Sequence, residues 1–172
     1  MNLQSNDFQI FGLPERFSLE RVELDARWKD LQRQAHPDRF ASADAASQRL
    51  AMQWSVRINE AYQRLRDPIK RAAYLCELRG APIEAENNTA MPSDFLMQQM
   101  QWREDLDEAE GAEALERMAD EVAQARRERI AALQAALDEQ GDAAAAARQV
   151  RALMFIERFA RDVEGRLDQL GQ

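Results

Sequence analysis

One histidine occurs in the 172 residues, and it stands in the tripeptide His36-Pro37-Asp38. An imidazole near a carboxylate can move a proton, ligate a metal or hydrogen-bond a partner. Catalysis would need a pocket and a group to act on. No serine or threonine nearby has a nucleophile's context, and the single cysteine, Cys76, lies on an apolar helical stretch with Ala72, Ala73, Leu75 and Leu78. One His and one Cys cannot assemble an ordinary zinc ligand set, and a lone Cys excludes an internal disulfide. No metal and no cofactor is therefore expected. By itself, a histidine beside proline in a polar connection is a solvated surface residue.

The elements around this tripeptide give it a position. Valine, isoleucine and threonine number five, six and one, while alanine numbers 30 and glycine plus proline only 11. β-Branched residues and frequent turns are what sheets require, so an all-α chain is expected. Phe8, Ile10, Phe11 and Leu13 form an apolar cluster ended by Pro14, and Ser18 is the N-cap candidate for the next helix. Leu24, Trp28, Leu31 and Ala35 follow at spacings of 4, 3 and 4, a one-sided stripe. Proline disfavours helical geometry in the residue before it, so the helix ends near Ala35 or His36. A second stripe, Leu50, Trp54, Ile58, Ala61 and Leu65, completes an antiparallel helical hairpin.

Asp67-Pro68 breaks the second helix, and a shorter one (Ala72, Leu75, Leu78) runs to Gly80. Residues 81–92, with Pro82, Asn87, Asn88 and Pro92, read as a linker. Beyond it, helices over about 93–109, 112–140 and from Gly141-Asp142 onward predict a three-helix bundle. The last carries Val150, Leu153, Ile156, Ala160, Val163, Leu167 and Leu170 as its seam. The net charge of −8 is uneven: residues 1–80 sum to +2 and residues 81–172 to −10. Two units with different partners are the simplest organisation. An acidic total argues against nucleic acid, and no apolar run approaches the roughly 18 residues of a membrane span. The N-terminus lacks the blocks of a signal peptide, so a reducing, cytoplasmic location is expected.

Within helix 93–109, at about 100° per residue, Phe95, Gln99, Trp102, Leu106 and Ala109 share one direction. Leu96, Met97, Met100, Glu104, Asp107 and Glu108 lie opposite, which puts three apolar residues beside carboxylates where solvent is expected. Phe155 falls off the seam of the last helix and joins this reading. Exposed Met, Leu and Phe bordered by charge form a protein-binding patch; packing against another part of the chain is the alternative.

The order of apolar cluster, helix, His-Pro-Asp connection and second helix resembles the J-domain, the module that activates DnaK-type chaperones. Further words sharpen the likeness: Phe11-Gly12-Leu13-Pro14, Leu31-Gln32-Arg33-Gln34-Ala35-His36-Pro37-Asp38-Arg39-Phe40-Ala41, Ile58-Asn59-Glu60-Ala61-Tyr62, Phe95-Leu96-Met97 and Arg103-Glu104-Asp105-Leu106-Asp107-Glu108. Together they resemble the HscB family of J-type co-chaperones of iron-sulfur cluster assembly over almost the whole chain. The resemblance implies a J-domain over 1–80, a linker over 81–92 and a client-binding bundle over 93–172, arranged in an L or an elongated form. It implies a chaperone-binding surface of His36, Pro37 and Asp38 with the basic Arg27, Lys29, Arg33 and Arg39, partly offset by Asp25 and Asp30. It implies that Leu96, Met97, Met100, Gln101, Glu104, Glu108 and Phe155 bind the cluster scaffold IscU. Gln101 stands where an acidic residue is common in the family.

The partners so implied are the DnaK-type chaperone HscA and IscU, with ATP hydrolysis in the chaperone and none in this chain. No paired Cys-x-x-Cys motif of the eukaryotic members is present, nor the Gly/Phe-rich and zinc segments of general J-proteins, which points to the bacterial form. Three other readings stay open on the residues alone: a chaperone recruiter with a different client, a small enzyme using His36, and an acidic adaptor unconnected to any chaperone.

Overall fold

The computed structural model describes residues 2–171; Met1 and Gln172, the end residues of the expected 1–80 and 93–172 domains, lie outside the described residues. Those described are all-helical, without a strand. They form two compact units, Met1–Leu75 and Cys76–Gln172.

The first unit begins with α1 (Asp7–Phe11), a single turn too short to persist alone. Asn6 and Gln9 cap it reciprocally: each side-chain oxygen accepts the other residue's backbone N–H at 2.9 Å. Gly12, at φ +63°, ends it in the left-handed conformation, where a Cβ would stand 2.9 Å from an Arg27 guanidinium nitrogen. Phe8, Ile10 and Phe11 are buried, and so is the Asp7 carboxylate, 0% exposed. Arg64 grips that carboxylate through Nε at 2.6 Å and Nη2 at 2.9 Å. Arg57 Nη1 comes within 2.8 Å of Oδ1, an ionic contact outside hydrogen-bond direction. Arg57 also donates to the Leu3 and Ser5 carbonyls at 3.2 and 2.8 Å. The carboxylate raises the Arg64 pKa above its ordinary value through this hydrogen bond.

Helix α2 (Arg21–Ala35) starts later than the expected Ser18 cap, with Glu20 in the N-cap position and no side-chain cap bond. Phe17 explains the delay. It is buried, its carbonyl accepts from Arg71 Nε at 2.8 Å, and the Arg71 guanidinium lies 4.7 Å above its ring, so the backbone there serves tertiary contacts. Helix α3 (Ala45–Arg66) runs back beside α2 after Asp44 caps it, accepting the Ser47 N–H at 2.7 Å; that bond holds the Asp44 pKa below its usual value. Leu24, Ile58, Ala61 and Leu65 fill the core as the stripes require, whereas Ala51 takes the place expected of Leu50, which is half exposed. Helix α4 (Pro68–Leu78) follows, and the division between the units falls within it.

The second unit contains α5 (Ser93–Glu108), α6 (Gly111–Gln134) and α7 (Ala143–Leu170). A π-helical turn, Ala135–Glu139, extends α6, and Gly141 at φ +61° lets the chain reverse before Asp142 caps α7. Val150, Leu153, Ile156 and Val163 of the expected seam are buried; Ala160 and Leu170 are exposed and Leu167 is half-buried. Residues 81–92 carry no helix, yet Ile83 is buried, and the buried Arg151 donates to the Ile83 and Ala90 carbonyls at 3.1 and 3.0 Å. Cys76 is buried with its Sγ 3.8 Å from the Ala143 carbonyl.

Two outcomes follow. Asp7→Ala leaves Arg57 and Arg64 facing a void, so urea denaturation should show a loss of about 2–4 kcal/mol, the lower end reflecting the partial exposure of Arg64. Burial pushes the Cys76 thiol from 9.0 up to about 11. The folded state therefore favours the protonated form. Its contribution to stability is complete below pH 9 and is lost as pH rises from 9 to 11; the difference in denaturation midpoint between the parent and Cys76→Ala across that range checks it, since the tyrosines and lysines that also titrate there are common to both.

Candidate functional site

Two surfaces carry the residues singled out above. The first sits at the end of α2. His36 leaves the helix in an extended conformation, φ −60° and ψ 131°, as the following proline demands. Pro37, which has no N–H to satisfy, opens the 3-10 turn Pro37–Phe40. The Asp38 N–H donates to His36 Nδ1 at 3.2 Å and the Arg39 N–H to the His36 carbonyl at 3.0 Å, closing the turn. A neutral imidazole that accepts at Nδ1 carries its proton on Nε2, so a donor remains for a partner. Asp38 is the more exposed of the pair, its side chain 94% exposed, with Oδ2 3.7 Å from His36 Nδ1.

Lys29, Arg33, His36, Asp38 and Arg39 line one open hollow, together with Ala26, Trp28 and Gln32. Arg33 pairs with Asp30 at 2.9 Å in full solvent, a contact worth little. Arg27 is directed elsewhere. Its Nη1 donates to the Phe11 and Gly12 carbonyls at 2.9 and 3.2 Å, and its Nη2 pairs with Glu23 at 2.9 Å, so it caps α1.

What aims this end of α2 is a polar ladder that periodicity did not single out. Asn59 Oδ1 accepts from Trp28 Nε1 at 3.0 Å and from Gln32 Nε2 at 2.7 Å. The Ser55 hydroxyl donates to Gln32 Oε1 at 3.0 Å. Trp28 stacks on Tyr62 with centroids 4.6 Å apart. The Tyr62 hydroxyl donates to Asp25 Oδ1 at 2.6 Å and, with Arg21 secondarily, lowers the Asp25 pKa. Asn59 and Tyr62 were visible only as members of the Ile58–Tyr62 word. Their i, i+3 spacing places both on the α3 face that meets α2.

The second surface is the outer face of α5. Phe95, Trp102 and Leu106 are buried, while Leu96, Met97 and Met100 are 47%, 76% and 68% exposed. Gln101, Glu104, Asp107 and Glu108 are exposed beside them, and Gln101 Nε2 donates to Asp105 at 2.8 Å. Apolar side chains thus stand in solvent next to carboxylates, as the angular reading expects.

Phe155 corrects that reading, because it is 2% exposed. Its ring meets Phe95 edge-on at 5.7 Å and stacks with Phe159 at 5.9 Å. A helix flanked on two sides buries a wider arc than one stripe. In α7, Ala152, Leu153, Phe155, Ile156 and Phe159 are all buried, so Phe155 supports α5 from beneath. Arg103 caps this cluster, 5.2 Å from the Phe155 centroid and 5.6 Å from that of Phe159, and reaches Asp162 at 3.3 Å. Arg129 lies 5.0 Å over Phe95 and pairs with Asp94 at 3.1 Å. Among the described residues there is no cluster of three side chains able to hold a metal, and no helix is long and apolar enough to cross a membrane.

Comparison with known proteins gives consistent likenesses. A family profile described as the HSCB C-terminal oligomerisation domain matches residues 91–164. The co-chaperone protein HscB homolog of Burkholderia mallei (strain SAVP1) is 49% identical over 173 residues, covering 99% of this chain and 98% of that protein. Its counterpart in Burkholderia thailandensis is 47% identical with the same coverage. Among solved structures, the chaperone HscB from Vibrio cholerae gives a TM-score of 0.80 at 38% identity, over 96% of this chain and 99% of that one. The human co-chaperone HscB gives 0.86 at 24% identity, over 96% and 84%, a likeness of fold.

The contrast between Phe155 and Met97 is measurable. Phe155→Ala should lower the stability of the second unit by about 3–5 kcal/mol, as an emptied aromatic site does. Met97→Ala should stay within about 0.5 kcal/mol of the parent, as exposed positions do. Thermal denaturation followed by circular dichroism checks both.

Proposed function

The chain belongs to the HscB family of co-chaperones, and from that premise we propose that it brings the iron-sulfur scaffold IscU to the DnaK-type chaperone HscA and stimulates HscA's ATPase. A co-chaperone is a non-enzymatic regulator with a chaperone as partner. The finer assignment rests on one observation above the others: His36, Pro37 and Asp38 project from a turn that is braced by Asn59 and Tyr62 and edged by Lys29, Arg33 and Arg39. A rigid donor and carboxylate ringed by cations suit an acidic partner surface and a polar contact of fixed geometry.

On this reading residues 1–80 are the J-domain, and residues 93–172 hold the client. Leu96, Met97 and Met100 supply the apolar anchor for the scaffold, and Glu104 and Glu108 set its orientation; Gln101 gives up one charge common in the family. Phe155 acts from below by holding α5. Engaging client and chaperone with one chain raises the effective concentration of each for the other, so capture of the scaffold is coupled to hydrolysis. A single unpaired cysteine suits the reducing cytoplasm as the site of action.

The test is steady-state ATP hydrolysis by HscA, with and without IscU. His36→Gln should abolish stimulation while leaving scaffold binding intact. Met97→Ala combined with Met100→Ala should weaken scaffold binding at least tenfold and keep the stimulation seen without scaffold. Normal stimulation by His36→Gln would overturn the assignment of the loop.

A further inference from the structure

Among the six described methionines, Met97 and Met100 are the most exposed, and they stand one turn apart in the middle of the α5 face. Met118 is buried, and Met91 and Met154 are half-buried; Met52 is exposed on α3, in the first unit. We propose that the thioethers of Met97 and Met100 are a peroxide-modified site whose oxidation releases the client, an inference that rests on α5 being the scaffold-binding face. A lone pair of Met Sδ attacks one oxygen of hydrogen peroxide. The S–O bond forms as the O–O bond breaks, and the departing oxygen leaves as water. Sulfur is oxidised by two electrons to the sulfoxide and the peroxide is reduced.

The surroundings make this change costly on the bound side. A sulfoxide oxygen is a strong acceptor that needs a donor once a partner covers it. The neighbouring Glu104, Asp107 and Glu108 only accept when ionised, and the Gln101 amide already donates to Asp105. Arg103, the one cation in the α5 sequence, is held over Phe155 and Phe159 and paired with Asp162. The neighbours thus offer the new oxygen mainly acceptors and an amide already shared with Asp105, whereas the reduced thioethers enter an apolar contact without needing a donor. In the unbound chain the sulfoxides stay in water, so the fold is not disturbed. Reversal takes two electrons from a dithiol: a methionine sulfoxide reductase returns the thioether, with a disulfide and water as the other products.

The experiment uses the full chain and purified IscU. Wild type and Met97→Leu/Met100→Leu are each split, one half is treated with hydrogen peroxide, oxidation at each methionine is read by mass spectrometry, and IscU binding is titrated by calorimetry. Leucine keeps the apolar volume and cannot be oxidised. Wild type should lose affinity at least tenfold on conversion of Met97 and Met100 and regain it after reductase treatment, with an unchanged thermal midpoint. The leucine variant serves as its own baseline: whatever its affinity before peroxide, that affinity should be unchanged after it. Undiminished binding by oxidised wild type overturns the proposal, as does an equal loss in the treated leucine variant, which would place the effect at a methionine other than Met97 and Met100, such as Met52, Met91, Met118 or Met154. A reduced wild type that does not bind IscU at all removes the client reading, and this inference with it.

Discussion

Guanidinium groups, buried in Arg71 and Arg151 and partly exposed in Arg27, hold irregular backbone and helix ends of both units in place. Carbonyls outside helices that leave water must find a donor, and an irregular segment has no ladder to provide one. Arginine supplies five N–H groups in a planar fork. Here Arg57 takes Leu3 and Ser5, Arg27 takes Phe11 and Gly12, Arg71 takes Phe17 and Leu65, and Arg151 takes Ile83 and Ala90. The composition fits the demand, with 21 arginines and only two lysines. Lysine's compact ammonium on a flexible stem could not span two carbonyls with fixed geometry. Asp7 completes the pattern as the one fully buried acid among the described residues, offsetting the charge that Arg57 and Arg64 carry into the first unit.

Both functional surfaces rest on such fixed supports. The His36-Pro37-Asp38 turn is short of contacts of its own, and its direction comes from α2, which Asn59, Gln32, Trp28 and Tyr62 lock to α3. The α5 face is likewise held from behind, where Phe95, Trp102, Phe155 and Phe159 form a continuous aromatic cluster with Arg103 and Arg129 over its edges. In each case the groups offered to a partner stand in solvent while their helix is immobilised from the other side. The backbone beneath these groups is already ordered, so binding need fix only the rotamers of the side chains.

Charge follows the same division. In residues 1–80, which sum to +2, Lys29, Arg33 and Arg39 line the hollow beside His36, whereas Arg27, Arg57, Arg64 and Arg71 are engaged with backbone carbonyls or Asp7. Residues 94–121 hold ten acidic and two basic side chains, of which Arg103 and Arg129's partner Asp94 are committed to the bundle. Of the acidic groups that remain, Glu104, Asp107 and Glu108 share the α5 face with Met97 and Met100.

Much of this was legible in the residues. Helices α2 to α7 follow from apolar spacing, and Pro37, Pro68, Pro92, Gly80 and Gly141-Asp142 mark where they break, because those residues act on backbone within a turn of themselves. The exposed Leu96, Met97 and Met100 followed too, since one helix's angular pattern places them opposite Phe95, Trp102 and Leu106. Tertiary structure alone decided the rest. Ser18 lost its cap role to the anchoring of Phe17, Arg27 turned inward to Gly12, Arg151 tied down residues 81–92, and Phe155 entered the core. Each depends on a partner between 15 and 69 positions away in sequence. Periodicity reports which side of a helix is apolar; how wide an arc is covered depends on how many neighbours flank it, and that only packing can settle.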